Sequence, residues 1–67
     1  MKTYELIQEG SVKQTVEAEN IDQAIDRFFP QVQVDVDLNT MTHDYCDIRP
    51  LHQRKSLPAF IIRERGQ

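Results

Sequence analysis

The segment Gln31 to Leu38, QVQVDVDL, restricts what this chain can fold into more than any other stretch. Val32, Val34, Val36 and Leu38 alternate with Gln31, Gln33, Asp35 and Asp37, and a period of two sends the two sets to opposite faces of a strand. Such a strand has one dry side and one wet side, and the dry side needs cover. The preceding NIDQAIDRFFP supplies it. Ile21, Ala24, Ile25 and Phe28 follow the i, i+3, i+4, i+7 spacing of an amphipathic helix. Asn20 is placed to cap its amino end, with Gln23 three residues on as in a capping box. Asp22 lies in the first turn, where the helix dipole favours it. Pro30 disfavours helical geometry at Phe29 and ends the element. A helix of about ten residues is unstable alone in water, so its stripe is expected to lie on the sheet, with the four alternating apolar residues turned toward it.

The opening KTYELIQEGSVKQTVEAE reads as a β-hairpin turning at Gly10. Tyr4 and Leu6 share one face, and Val12, Val16 and Ala18 share another. Directly opposed residues point to the same side of a sheet. A two-residue Gly10-Ser11 loop would set Leu6 against Thr15 and put the two apolar sets on opposite faces. A three-residue loop, Gly10 to Val12, sets Leu6 against Val16, Tyr4 against Ala18 and Glu9 against Lys13. That register, or a bulged equivalent, is expected.

After Leu38 comes a polar connection, Asn39 to Asp44. YCDIR is a short strand ended by Pro50, and its inward residues would be Cys46 and Ile48. LHQRKSLP is a loop with a basic centre. AFIIRER is a final strand, expected to be deeply buried at Phe60, Ile61 and Ile62. The order β-β-α-β-β-β predicts a single α+β domain over residues 1–67, with one helix on one face of a mostly antiparallel sheet. The opening MKTYELIQEG, the capped helix after it and the closing AFIIRERGQ resemble the β-grasp group, which includes the protein G immunoglobulin-binding domain and the ubiquitin-like folds. That resemblance implies that the first and last strands lie side by side and parallel. Conjugated ubiquitin-like proteins end in Gly-Gly, whereas this chain ends Gly66-Gln67, so the resemblance implies no conjugation role. It carries no site residue over to this chain.

A chain of 67 residues buries only about 60% of the surface its unfolded form exposes. A core of that size rarely supplies more than about 3–5 kcal/mol without a staple. Cys46 is the single cysteine, so no internal disulfide is available and a reducing compartment is expected. No signal peptide and no apolar run approaching the roughly 20 residues of a membrane span is present, which predicts a cytoplasmic protein.

The stretch DVDLNTMTHDYC invites a metal reading. Asp35, Asp37 and Asn39 fit the first three ligand positions of a calcium-binding loop, but position 6 is Thr40 instead of glycine and position 12 is Cys46 instead of glutamate. His43, Cys46 and His52 give three zinc-type donors, one short of a usual structural site. Cys46 with a histidine base could be drawn as a nucleophile, but so small a domain has little room for a water-excluding pocket. The expectation is no metal, no cofactor and no enzymatic activity, with Cys46 in the core.

Charge is unevenly spread along the chain. Residues 1–47 carry ten acids and three basic groups, whereas residues 48–67 carry five basic groups and one acid. Arg49, Arg54, Lys55, Arg63 and Arg65 are therefore candidates for nucleic-acid contact, with Tyr45 or Phe60 as stacking groups. The overall pI near 5.2 opposes that reading. The preferred expectation is a protein-interaction module: an adaptor, an inhibitor or a homo-oligomeric accessory protein. An open sheet edge needs a partner or a guard, and a thin core gains from association. The expected contact residues are Asp35 and Asp37 on the wet strand face, with Arg49, His52, Arg54 and Lys55 in and beside the proline-flanked loop. The acids Asp22, Asp26, Asp35, Asp37, Asp44 and Asp47 could also present a negative surface to a partner's basic groove, as small phage-type inhibitors do.

Overall fold

The hairpin turn is made by Glu9 and Gly10, with φ of 53° and 78°. Two consecutive positive φ angles define the tight turn whose twist matches that of paired strands. It joins β1 (Lys2–Gln8) to β2 (Ser11–Ala18). Tyr4 pairs with Val16 and Lys2 with Ala18, and the register shifts between Leu6 and Ile7 so that Ile7 opposes Val12 while Leu6 opposes Gln14. The loop is thus one residue shorter than expected, and a bulge restores the facing. Tyr4, Leu6, Val16 and Ala18 share a side as anticipated. Val12 does not join them: the bulge turns it to the other side, where it is 48% exposed. Glu9 is in the turn itself and does not oppose Lys13.

The computed structural model describes residues 1–65; the closing Gly66-Gln67, on which the comparison with conjugated proteins rested, lies outside the described residues. The elements after the hairpin are α1 (Ile21–Phe28), β3 (Val34–Val36), β4 (Tyr45–Pro50) and β5 (Phe60–Glu64). The five strands form one sheet in the order β2-β1-β5-β4-β3. Every neighbouring pair is antiparallel. The architecture is therefore α+β, with one helix on an antiparallel sheet. The first and last strands are neighbours, as the β-grasp resemblance implied, but they run antiparallel instead of parallel, with Tyr4 opposite Glu64 and Leu6 opposite Ile62. Among the described residues no helix is long and apolar enough to cross a membrane.

The helix starts as its sequence dictates. The Asn20 side chain accepts from the Gln23 amide at 2.9 Å, which satisfies one of the orphan donors of the first turn. The Gln23 side chain reaches back to accept from the Glu19 amide at 2.8 Å, one residue before the cap. Ile21, Ala24 and Phe28 are buried and Ile25 is half-buried. This stripe lies chiefly over β2 and reaches β1 and β5. It covers Tyr4, Leu6, Ala18, Cys46, Ile48 and Ile62, which make up the sheet side of the core. Phe29 closes the margin by an edge contact with Phe60, ring centroids 5.6 Å apart. The Tyr4 ring is fully buried, and its hydroxyl has no hydrogen-bond partner among the described residues.

The segment that most constrained the fold is the one the structure shortens. Gln31 adopts φ of 59°, and regular pairing within residues 31–38 is confined to Val34, Asp35 and Val36, opposite Pro50, Arg49 and Ile48. Val34 and Val36 pack against the core as expected. Leu38 does not: it is 77% exposed. The chain leaves the strand after Val36, because the Asp37 side chain accepts from the Asn39 amide at 3.0 Å and starts a turn. In β5, Ile62 is buried while Phe60 and Ile61 are only half-buried, so the final strand is less deeply set than its composition suggested.

Candidate interaction surface

Strand alternation gives β4 two characters. Cys46, Ile48 and Pro50 face the helix and are buried, while Tyr45, Asp47 and Arg49 emerge on the rear of the sheet and are half-buried. Asp35 stands directly opposite Arg49 on β3, so it shares that rear face. Together with Asp37, Leu38 and Asp47 they line an open depression of about 610 Å3. The structure thus brings Asp35, Asp37 and Arg49 together. His52, Arg54 and Lys55 are outside the depression; all three are exposed positions in the 51–58 loop.

A small network builds the wall of the depression. The Tyr45 hydroxyl donates to Asp47 Oδ1 at 3.0 Å, and the Thr40 hydroxyl donates to Asp47 Oδ2 at 3.2 Å. The Asp47 carboxylate, together with partial burial, pushes the Tyr45 phenol above its usual range. The Thr40 amide donates to the Asp37 carbonyl at 3.2 Å. These bonds fix the 37–40 turn on the rear face and leave Leu38 at its tip, projecting into water. The sequence places Asp47 only in the wider acidic surface and Tyr45 only among stacking groups for nucleic acid, and neither in the preferred contact set. Their alternation with Arg49 along YCDIR was the signal that could have found them.

Arg49, besides lining the depression, holds the basic loop. Its guanidinium donates to the carbonyls of Arg54 at 3.0 Å and Leu57 at 2.6 Å. The side-chain amides of Gln8 and Gln53 both donate to the Pro58 carbonyl, at 3.1 and 3.0 Å. The loop between the two prolines is therefore folded onto the molecule. Ile7 is also buried, opposite Ile61 on the rear side and outside the helix-side core. The exposed leucines are spread along the β3 margin, Leu51 beside its start and Leu38 beyond its end. Leu51 donates its amide to Gln33 beside β3 at 2.9 Å, Leu57 receives Arg49, and Leu38 rims the depression.

The other candidate constellations are placed apart. Cys46 is fully buried in the helix-side core, whereas His43 and His52 are exposed. Burial and, secondly, the nearby Asp47 carboxylate push the Cys46 thiol up to about 11, far from a reactive thiolate at neutral pH. Among the described residues, no three His, Cys, Asp or Glu side chains converge as metal ligands would. Of the basic residues considered for nucleic acid, Arg63 bonds Glu5 at 3.2 Å and Arg65 lies 3.8 Å from the same carboxylate. Arg49 is committed to the loop, and the Phe60 ring is engaged by Phe29.

Compared with known proteins, the chain matches no family model, no curated protein and no solved structure.

Proposed function

We propose that this protein is a non-enzymatic protein-interaction module that works in the reducing cytoplasm, and that its contact surface is the β3 end of the sheet. The observation that carries the reading is Leu38, 77% exposed at the tip of a hydrogen-bonded turn above a depression lined by Asp35, Asp37 and Asp47. Single exposed apolar residues are ordinary. This leucine, however, is fixed by its turn and rims a depression that a partner's side chain can enter. Its acidic lining favours a partner that presents basic side chains around an apolar anchor. The engagement of Arg49, Arg63 and Arg65 within the fold weighs against nucleic acid, since few cations are left to neutralise phosphates on one face.

The test is affinity capture from the native host with wild type, Leu38→Ser and Asp35→Asn side by side. Leu38→Ser is expected to lose the captured protein and Asp35→Asn to weaken its capture, more at low salt than at high. Equal capture by all three proteins would overturn the proposal, as would recovery of nucleic acid alone.

A further inference from the structure

The opposite end of the sheet carries an independent signal. β2 is an outermost strand of eight residues, and no strand pairs with its outer side among the described residues. Long open edges invite pairing, and proteins commonly guard them with an edge lysine or a bulge. Lys13 sits at the bulge and would serve as such a guard. Four residues along stands Glu17, however, and neither has an ion-pair partner among the described residues. Thr15 and Glu17 oppose Glu5 and Thr3 on the rear face, and alternation puts Lys13 with them.

We infer that β2 pairs antiparallel with β2 of a second copy of this chain, about a two-fold axis through Thr15. That axis sets Lys13 against Glu17 of the partner subunit, and Glu17 against Lys13 of the partner subunit. Thr15 meets its own copy, a favourable cross-strand pair. On the helix side Gln14 meets the half-buried Val16 of the partner subunit. The same axis brings the two helices to one side of a continuous ten-stranded sheet, with the two β3 ends left free at its far margins. The charge pattern selects this arrangement. Parallel pairing in register would set lysine against lysine and glutamate against glutamate. A one-residue slip would oppose residues from different faces. The contact is self-complementary, as a two-fold interface must be.

Sedimentation velocity over a dilution series at low salt tests this. Wild type is expected to pass from monomer to dimer with rising concentration. Lys13→Glu and Glu17→Lys each replace two attractive pairs by two repulsive ones, and each is expected to weaken the dimer by about tenfold or more. Mixing the two variants sets glutamates on one chain against lysines on the other, so the mixture is expected to recover association that neither shows alone. Both positions are exposed, so circular dichroism should report an unchanged fold. Thr15→Cys is expected to give a disulfide-linked dimer under mild oxidation, since the native Cys46 is buried. Wild type that stays monomeric at the highest concentration would overturn the inference. So would a dimer indifferent to both reversals, or a mixture of the variants that fails to associate. None of these outcomes touches the surface around Leu38.

Discussion

Cys46 shows how one side chain can tie this small core to pH. A thiol is neutral when protonated, and burial favours the neutral form. Its folded pKa, about 11, lies above the ordinary 9.0. The folded state therefore holds the proton more tightly, and the stability this gives is complete below pH 9 and lost as pH rises toward 11. Two units correspond to at most about 3 kcal/mol, a large part of what a domain of this size has. Urea midpoints measured from pH 7 to 11 are expected to fall in wild type beginning near pH 9, whereas Cys46→Ala should begin lower and decline much less between pH 9 and 10. Above that, Tyr4 and Tyr45 add to the loss in both proteins, because both phenols are raised above 10.0. Parallel curves for the two proteins would mean the thiol is not the titrating group.

At the scale of elements, the turn shows why some structure was legible in the residues and some was not. Gly10 was readable because only glycine takes positive φ freely. Glu9 was not, because glutamate gives no local reason for φ of 53°. Asparagine is the residue this position favours, and left-handed geometry costs other residues about 1–2 kcal/mol. Glu9→Asn is thus expected to stabilise the protein by about 0.5–1 kcal/mol, read as a higher urea midpoint with unchanged slope; no rise would mean the turn is held by contacts beyond its own backbone. The helix was legible at both ends, since Asn20 and Pro30 act through local chemistry. The strand at Val34–Val36 was legible in its facing but not in its length. Its alternation runs on through Leu38, and only the Asp37 side-chain bond to Asn39, a competitor to strand geometry, ends it early. The candidate surface was half legible for the same reason. Asp35 and Asp37 follow from alternation, whereas the folding of the basic loop onto Arg49 depends on contacts that no periodicity encodes.

At the scale of the molecule, Arg49 links the last third of the chain to the rest. Its two bonds to loop carbonyls hold a segment whose Arg54 and Lys55 are trypsin sites. Losing even one charge-assisted bond of about 1.5 kcal/mol should speed local opening about tenfold. Arg49→Met is expected to be cut after Arg54 or Lys55 at least that much faster than wild type under native conditions, while the core, which does not include this side chain, keeps its cooperative unfolding. Cleavage at the wild-type rate would show that the glutamine amides on Pro58 suffice to hold the loop. The pairing of β1 with β5 has a different consequence, for synthesis. The two strands that meet in the middle of the sheet are the first and last to be made, with Tyr4 opposite Glu64. A nascent chain can shape its hairpin and helix early, but the strand that completes their floor is still inside the ribosome. Until it emerges, the apolar sides of β1 and α1 are without their centre, and it is during that wait that a chaperone would have most to hold.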